Sequence, residues 1–218
     1  MKAMILAAGR GQRLRPLTDT LPKPLLEVRG KPLIVHHLEA LRDSGFTEIV
    51  VNIAWLAETI QSYLGDGSRY GVSIRYSLES NGALETGGGI MNALPLLGTK
   101  PFLVVNADIY TDFPFHILSA GLQRGDLAHL VMVPNPRSHP KGDFFLSDDG
   151  RVHVDGPEPL TYSGIGVHDP QFFRWCTPGR FPMLPWWRKA IRLGLVSGQL
   201  YKGQWQDMGS LESFSALS

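Results

Sequence analysis

The sequence predicts an α/β fold built on an open, largely parallel sheet. Three observations carry it: short apolar runs that do not alternate, amphipathic stretches between them, and Gly or Pro at the junctions. Residues 2–7 open the chain as such a run and read as a strand buried on both faces. Over residues 32–44, Leu33, Ile34, Leu38 and Leu41 recur at helical spacing, with Pro32 suited to the first turn and Gly45 placed to end the helix. The β-branched Ile49, Val50, Val51 and Ile53 form the next strand, and Leu56, Ile60 and Leu64 mark a helix closing at Gly65. A strand follows at residues 72–76. Gly87-Gly88-Gly89 reads as a loop, residues 90–97 as a short helix, and residues 102–105 as a compact strand ended by Asn106 and Asp108.

Beyond Leu127 the pattern changes. Short strands at residues 130–133, 144–146 and 162–167 stand between Pro-containing loops, which predicts a more antiparallel or irregular half. A helix over 183–193, a strand over 196–201 and a last helix after Ser210 complete the chain. No linker, repeat or charge block marks a boundary, so residues 1–218 are expected to form one domain whose halves meet near residue 110.

Composition narrows the function classes. A chain of 218 residues with 43% hydrophobic content needs no staple to fold. Its lone Cys176 excludes an intramolecular disulfide, and no Cys/His spacing resembles a zinc site. With 21 Lys+Arg against 20 Asp+Glu, no global field draws in nucleic acid, so any anion site is local. The apolar run 4–8 is too short for a signal peptide, and no segment approaches the ~20 apolar residues of a membrane span. A cytoplasmic protein is expected.

The local anion site is legible at residues 6–18, where the first strand gives way to Gly9-Arg10-Gly11-Gln12-Arg13-Leu14-Arg15. Glycines let backbone N–H groups approach a phosphate, and Arg10, Arg13 and Arg15 concentrate charge there. It is not a dinucleotide-binding turn, because Leu14 occupies the position of the last glycine; nor is Gly30-Lys31 a P-loop, since Pro32 follows. Taken alone, the glycines and arginines fit a solvated surface turn equally well. Pro22-Lys23-Pro24 shifts the balance, because two prolines restrict the backbone around one lysine and aim a compact cation.

The run G-x-G-x-R-L-x-P-L-T followed by P-K-P resembles the sugar-phosphate nucleotidylyltransferases. That resemblance implies a three-layer α/β/α, Rossmann-like nucleotidyltransferase fold with a central mixed, mainly parallel sheet, the first half binding nucleotide and the second sugar phosphate. It implies catalytic Arg13 and Lys23, and a nucleotide site formed by Leu6, Ala8, Gly9, Gly11, Gln12, Arg13, Lys23, Asn81, Glu85, Gly87 and Asn106. Leu84 to Gly89 resembles the family's Leu-Gly-Thr-Ala-Gly loop. Asn106-Ala107-Asp108 and Trp205-Gln206-Asp207-Met208-Gly209 resemble its Asn-Gly-Asp and Trp-x-Asp-x-Gly motifs, which implies that Asp108 and Asp207 hold Mg²⁺. Judged alone, a strand-end Asp is more often a helix cap or turn residue. The sugar phosphate is assigned to Asn106, Gly142, Glu158 and Ser163, although Pro159 stands where the family has a lysine.

Within the family, the short length, Glu85-Thr86-Gly87-Gly88-Gly89 and Asn52-Ile53-Ala54-Trp55-Leu56 resemble the branch that uridylylates N-acetylmuramate 1-phosphate in cell-wall sugar recycling. UTP and a sugar 1-phosphate are then the partners of a monomer or small homo-oligomer. Mannose or glucose 1-phosphate as the sugar, and a catalytically silent nucleotide-sugar sensor, are the alternatives. His36, His37 and Trp55 fall in predicted helices and read as packing residues, as do Trp186 and Trp187.

Overall fold

The protein is described by a computed structural model covering residues 1–80 and 82–215. Seven strands form the main sheet: β1 (Ala3–Leu6), β2 (Glu48–Ile53), β3 (Ser73–Leu78), β4 (Phe102–Asn106), β5 (Ala128–Val133), β6 (Thr161–His168) and β7 (Val196–Leu200). Their spatial order is β7-β5-β6-β4-β1-β2-β3. β1 pairs in parallel with β2 and β4, β2 with β3, and β7 with β5. β6 alone runs against its neighbours β4 and β5. The mixed, mainly parallel sheet expected from the sequence is therefore present. The second half is less antiparallel than its short, Pro-separated strands suggested, because β5 and β7 align with the first half.

Alternation along the strands builds two cores. Ala3 and Ile5 of β1 face one side with Leu38 and Leu41 of helix α1 (Leu33–Asp43) and Ile60 and Leu64 of helix α2 (Ala57–Leu64). Met4 faces the other with Ile90, Ala93 and Leu97 of helix α3 (Glu85–Leu97) and Trp187, Ala190 and Ile191 of helix α4 (Leu184–Arg192). Helices thus cover both faces and make three layers, each buried Leu or Ile contributing about 1.5–3 kcal/mol relative to exposure.

Two local expectations are corrected. Gly87, Gly88 and Gly89 lie in the first turns of α3, not in a loop. The Gly87 and Gly88 amides, which a helix start leaves without intrahelical partners, both donate to Phe181 O at 3.1 Å. Side chains there would strike Phe181, the Gly179 carbonyl and the Asn52–Glu79 pair, so the glycines serve close packing. Trp55 lies in the turn before α2, because Leu56 takes φ 50° and delays the helix to Ala57. Among the described residues no helix is long and apolar enough to cross a membrane.

Candidate active site

The sheet order creates a crevice before any side chain is considered. From β1 the chain moves to β2 on one side and later returns to β4 on the other, so the strands diverge at the carboxyl end of β1, where open α/β sheets bind ligands. Register aligns Leu6 with Asn52 and with Asn106 at that end. A cavity opens there, lined by Leu6, Ala8, Gly9, Lys23, Glu85, Asn106 and Asp108 among others. Seven residues assigned from sequence thus share one space. Asn81 lies outside the described residues, and Gly87 is buried with its amide committed to Phe181.

Glycine geometry shapes the loop after β1. A Cβ on Gly9 would meet nothing within 4 Å, so the loop is open at that point. Gly11 takes φ 67°, and a Cβ there would come within 2.9 Å of Thr18 Cγ2 and 3.2 Å of Lys23 Cβ. Its carbonyl accepts from Thr18 Oγ1 and from the Leu14 amide, both at 2.9 Å. Gln12 and Arg13 follow in a single 3₁₀ turn and are exposed, free to meet a ligand. Arg10 is held elsewhere, its guanidinium 4.1 Å from the centre of the Trp55 ring, whose Nε1 donates to Thr18 O at 2.9 Å. Trp55 is thus a brace for the loop after β1.

Lys23 sits in a short turn between its prolines and is only 7% exposed. Its Nζ donates to Asp108 Oδ2 at 2.7 Å. Asp207 reaches the same place through a two-stranded ribbon in which 205–207 pairs antiparallel with 109–111, Asp207 opposite Ile109, and the Met208 amide donates to Asp108 O at 2.8 Å. Burial and the Asp108 charge push the Asp207 carboxyl above its ordinary value, while Lys23 and Arg13 pull it back. Arg13 closes the group, its Nη2 2.5 Å from where a Cβ on Gly209 would stand. Two hard oxygen donors held in mutual repulsion suit a divalent cation, so the residues fit Mg²⁺.

A second cavity adjoins the first, sharing Asn106 and Asp108 and lined also by Arg13, Asp207, Ser163, His139 and Asp143. Ser163 is 1% exposed; its Oγ accepts from the Ile165 amide, and its carbonyl accepts from Trp205 Nε1 at 2.9 Å. Gly164 takes φ 83°, and a Cβ there would crowd Asn106 Nδ2 at 2.8 Å. Gly142 and Glu158 line neither cavity. Gly142 instead makes a turn at φ 62°, and Glu158 is exposed.

Sequence reasoning missed Asn52 and Glu79, which also line the first cavity. Asn52 Oδ1 accepts from the Ala7 amide at 2.8 Å, Asn52 Nδ2 donates to Glu79 Oε1 at 2.6 Å, and Glu79 Oε2 accepts from the Leu84 amide at 2.7 Å. This chain of hydrogen bonds ties the loop after β1 to the start of α3. The signal available was a single buried polar residue among the apolar residues of β2, Asn52. The carboxylate of Glu85, whose φ is 60°, pairs with Arg180 at 3.1 Å on the exposed rim.

Parallel strands diverging over a glycine loop, with an aimed lysine and two carboxylates brought together from distant segments, define a nucleotide-handling site of the nucleotidyltransferase kind. The chain belongs to the nucleotidyl transferase family, whose model matches residues 2–142. It is 52% identical, over 97% of its length and 94% of the relative's, to N-acetylmuramate alpha-1-phosphate uridylyltransferase of Neisseria meningitidis serogroup B. It is 37% identical to the protein of the same name from Caulobacter vibrioides, over 95% and 91% of the two chains. Among solved structures, a Bacillus anthracis protein in complex with sucrose superposes with a TM-score of 0.87 at 21% identity, covering 100% of this chain and 93% of the other. HddC of Yersinia pseudotuberculosis complexed with GMP-PN gives 0.80 at 22%, covering 99% and 97%. At those identities the structures speak for the fold alone.

Proposed function

We propose that the protein transfers a uridylyl group from UTP to N-acetylmuramate α-1-phosphate, giving UDP-N-acetylmuramate and pyrophosphate. The observation that carries this reading is the near full-length match, at 52% identity, to a uridylyltransferase of that name. A phosphate oxygen of the sugar 1-phosphate forms a bond to the α-phosphorus while the bond from that phosphorus to the β-phosphate bridging oxygen breaks. No covalent enzyme intermediate is needed, so catalysis is positioning plus charge stabilisation.

The nucleotide occupies the first cavity, its phosphates over the open backbone at Gly9 and directed toward Arg13, which lines the adjoining second cavity. Lys23 places its ammonium at the α-phosphate, where charge develops. The sugar ring lies in the second cavity, its phosphate at the shared wall of Asn106 and Asp108. Asp108 and Asp207 would hold Mg²⁺, which when bound offsets phosphate charge and orients the reacting groups. The reading includes one domain over residues 1–218, a cytoplasmic setting, a place in cell-wall sugar recycling and a monomer or small homo-oligomer.

Pyrophosphate release is the test, with UTP, dTTP, GTP, CTP and ATP each tried against N-acetylmuramate, N-acetylglucosamine, glucose and mannose 1-phosphates, with and without Mg²⁺. UTP with N-acetylmuramate 1-phosphate is expected to turn over fastest, and EDTA to abolish the signal. Preference for another pair discards the sugar or base. Nucleotide binding without turnover anywhere in the matrix makes the protein a sensor.

A further inference from the structure

Besides Arg13, one basic side chain lines the second cavity: His139, on the loop between β5 and β6. Arg137 and Lys141 flank it in sequence but do not line the cavity. The loop is built to present this ring. Asp143 uses both carboxylate oxygens, Oδ1 meeting His139 Nε2 at 3.1 Å and Oδ2 accepting the Tyr162 amide of β6 at 2.8 Å. The imidazole is therefore tied to the sheet through Nε2, and no hydrogen bond within the described residues engages its Nδ1.

The backbone around it is equally fixed. Asn135 Nδ2 donates to Pro159 O at 2.8 Å, Asn135 Oδ1 accepts from Thr161 Oγ1 at 2.9 Å, and the His139 amide donates to Pro136 O at 2.9 Å. Gly142 completes the turn at φ 62°, where a Cβ would lie 2.7 Å from Asn135 Oδ1 and 2.9 Å from Leu160 O. Such bracing is unnecessary for a solvated surface histidine. It suits a group that must meet a ligand in one orientation.

Its position says which ligand atom. The reacting phosphate belongs at Asn106 and Asp108, the wall common to both cavities, whereas His139 and Asp143 line the second cavity alone. His139 thus meets a substituent of the sugar ring and not the reacting phosphate. A ring held at Nε2 by a carboxylate and meeting an anion at Nδ1 donates from both nitrogens, as an imidazolium does. An uncharged hydroxyl gains far less from the same geometry.

We infer that His139, oriented by Asp143, selects a sugar 1-phosphate that bears a second anion, a carboxylate on the ring, over its uncharged counterpart. This rests on the proposed reading, since N-acetylmuramate differs from N-acetylglucosamine by a lactyl ether that ends in a carboxylate. Asp143 is a positioning residue in this account, acting through the imidazole.

The experiment measures kcat and KM for both sugar 1-phosphates at saturating UTP, in wild type, His139→Gln, His139→Lys and Asp143→Asn. In wild type the carboxylate-bearing sugar is preferred. His139→Gln is expected to lower that preference, as a ratio of kcat/KM values, about 10- to 100-fold, chiefly through KM for N-acetylmuramate 1-phosphate. His139→Lys, which keeps a cation, restores part of the ratio, and Asp143→Asn falls between. An unchanged ratio in His139→Gln overturns this inference and leaves the parent reading intact. Wild type without a preference overturns both.

Discussion

Lys23 Nζ lies 2.7 Å from Asp108 Oδ2, an almost buried ammonium against a carboxylate at the end of β4. The two prolines hold that lysine in place, so under the proposed function little entropy would be lost on meeting a phosphate. Lys23→Ala is expected to lower kcat/KM about 10²- to 10³-fold, the scale of losing one well-placed donor. Lys23→Arg should fare little better, because a planar fork cannot replace a point charge in a space shaped for it. Steady-state pyrophosphate release measures both, with circular dichroism to verify folding. Full turnover by Lys23→Ala would remove it from the mechanism.

Asp207 carries a cost in stability. Burial and the Asp108 charge raise its carboxyl above the ordinary value, so holding it ionised at neutral pH costs folding free energy. Asp207→Asn removes that repulsion. It is expected to raise the melting temperature of the metal-free protein by about 1–3 °C, discounted for partial exposure, while activity falls at least ~10²-fold. The thermal gain appears at neutral pH and shrinks toward acid, where the wild-type carboxyl is itself protonated. A variant melting below wild type at pH 7 would contradict the assigned repulsion.

Gly88 reverses the usual helix rule. Replacing glycine by alanine inside a helix ordinarily stabilises by roughly 0.5–1 kcal/mol. Here the added methyl would collide with the Gly179 carbonyl, a backbone atom without a rotamer to change. Gly88→Ala is therefore expected to destabilise by about 1–3 kcal/mol, measured by urea unfolding. An equal or higher midpoint would mean that the segment around Gly179 yields easily.

These glycines also mark how far the sequence could be read. Non-alternating apolar runs such as 102–105 were legible because both faces of a central strand are buried, and that one fact placed most of the sheet. Gly87-Gly88-Gly89 was not legible as helix, since local propensity argues for a loop and only the packing of Phe181 and Gly179 overrides it. For the site, the family motif placed Lys23 and Asp108, while the meeting of Asp207 with Asp108 depends on the 109–111 and 205–207 ribbon, a long-range pairing that no local pattern announces. Asn52 and Glu79 were missed for the same reason: each looks ordinary until the Ala7 and Leu84 amides are seen to need them.

Acid should unfold the protein through buried histidines. His168 at the end of β6 is wholly buried beside Phe102 and Phe172 and accepts a hydrogen bond from Trp187 Nε1 at 3.2 Å. Burial lowers its folded-state value to about 4, against about 6.5 in an unfolded chain. The unfolded state therefore binds the proton first as pH falls. The contribution of the neutral ring is complete above pH 6.5, declines between about 6.5 and 4, and amounts at most to ~3 kcal/mol. His37, a buried residue of α1 and lowered likewise to about 4, adds a second such contribution. His168→Gln keeps an acceptor for Trp187 and removes one titrating group. Unfolding free energy measured against pH should then show proton uptake near pH 5.5 reduced by about one, with the His37 contribution remaining. Unchanged uptake would mean that the His168 ring is already protonated or solvated in the folded protein.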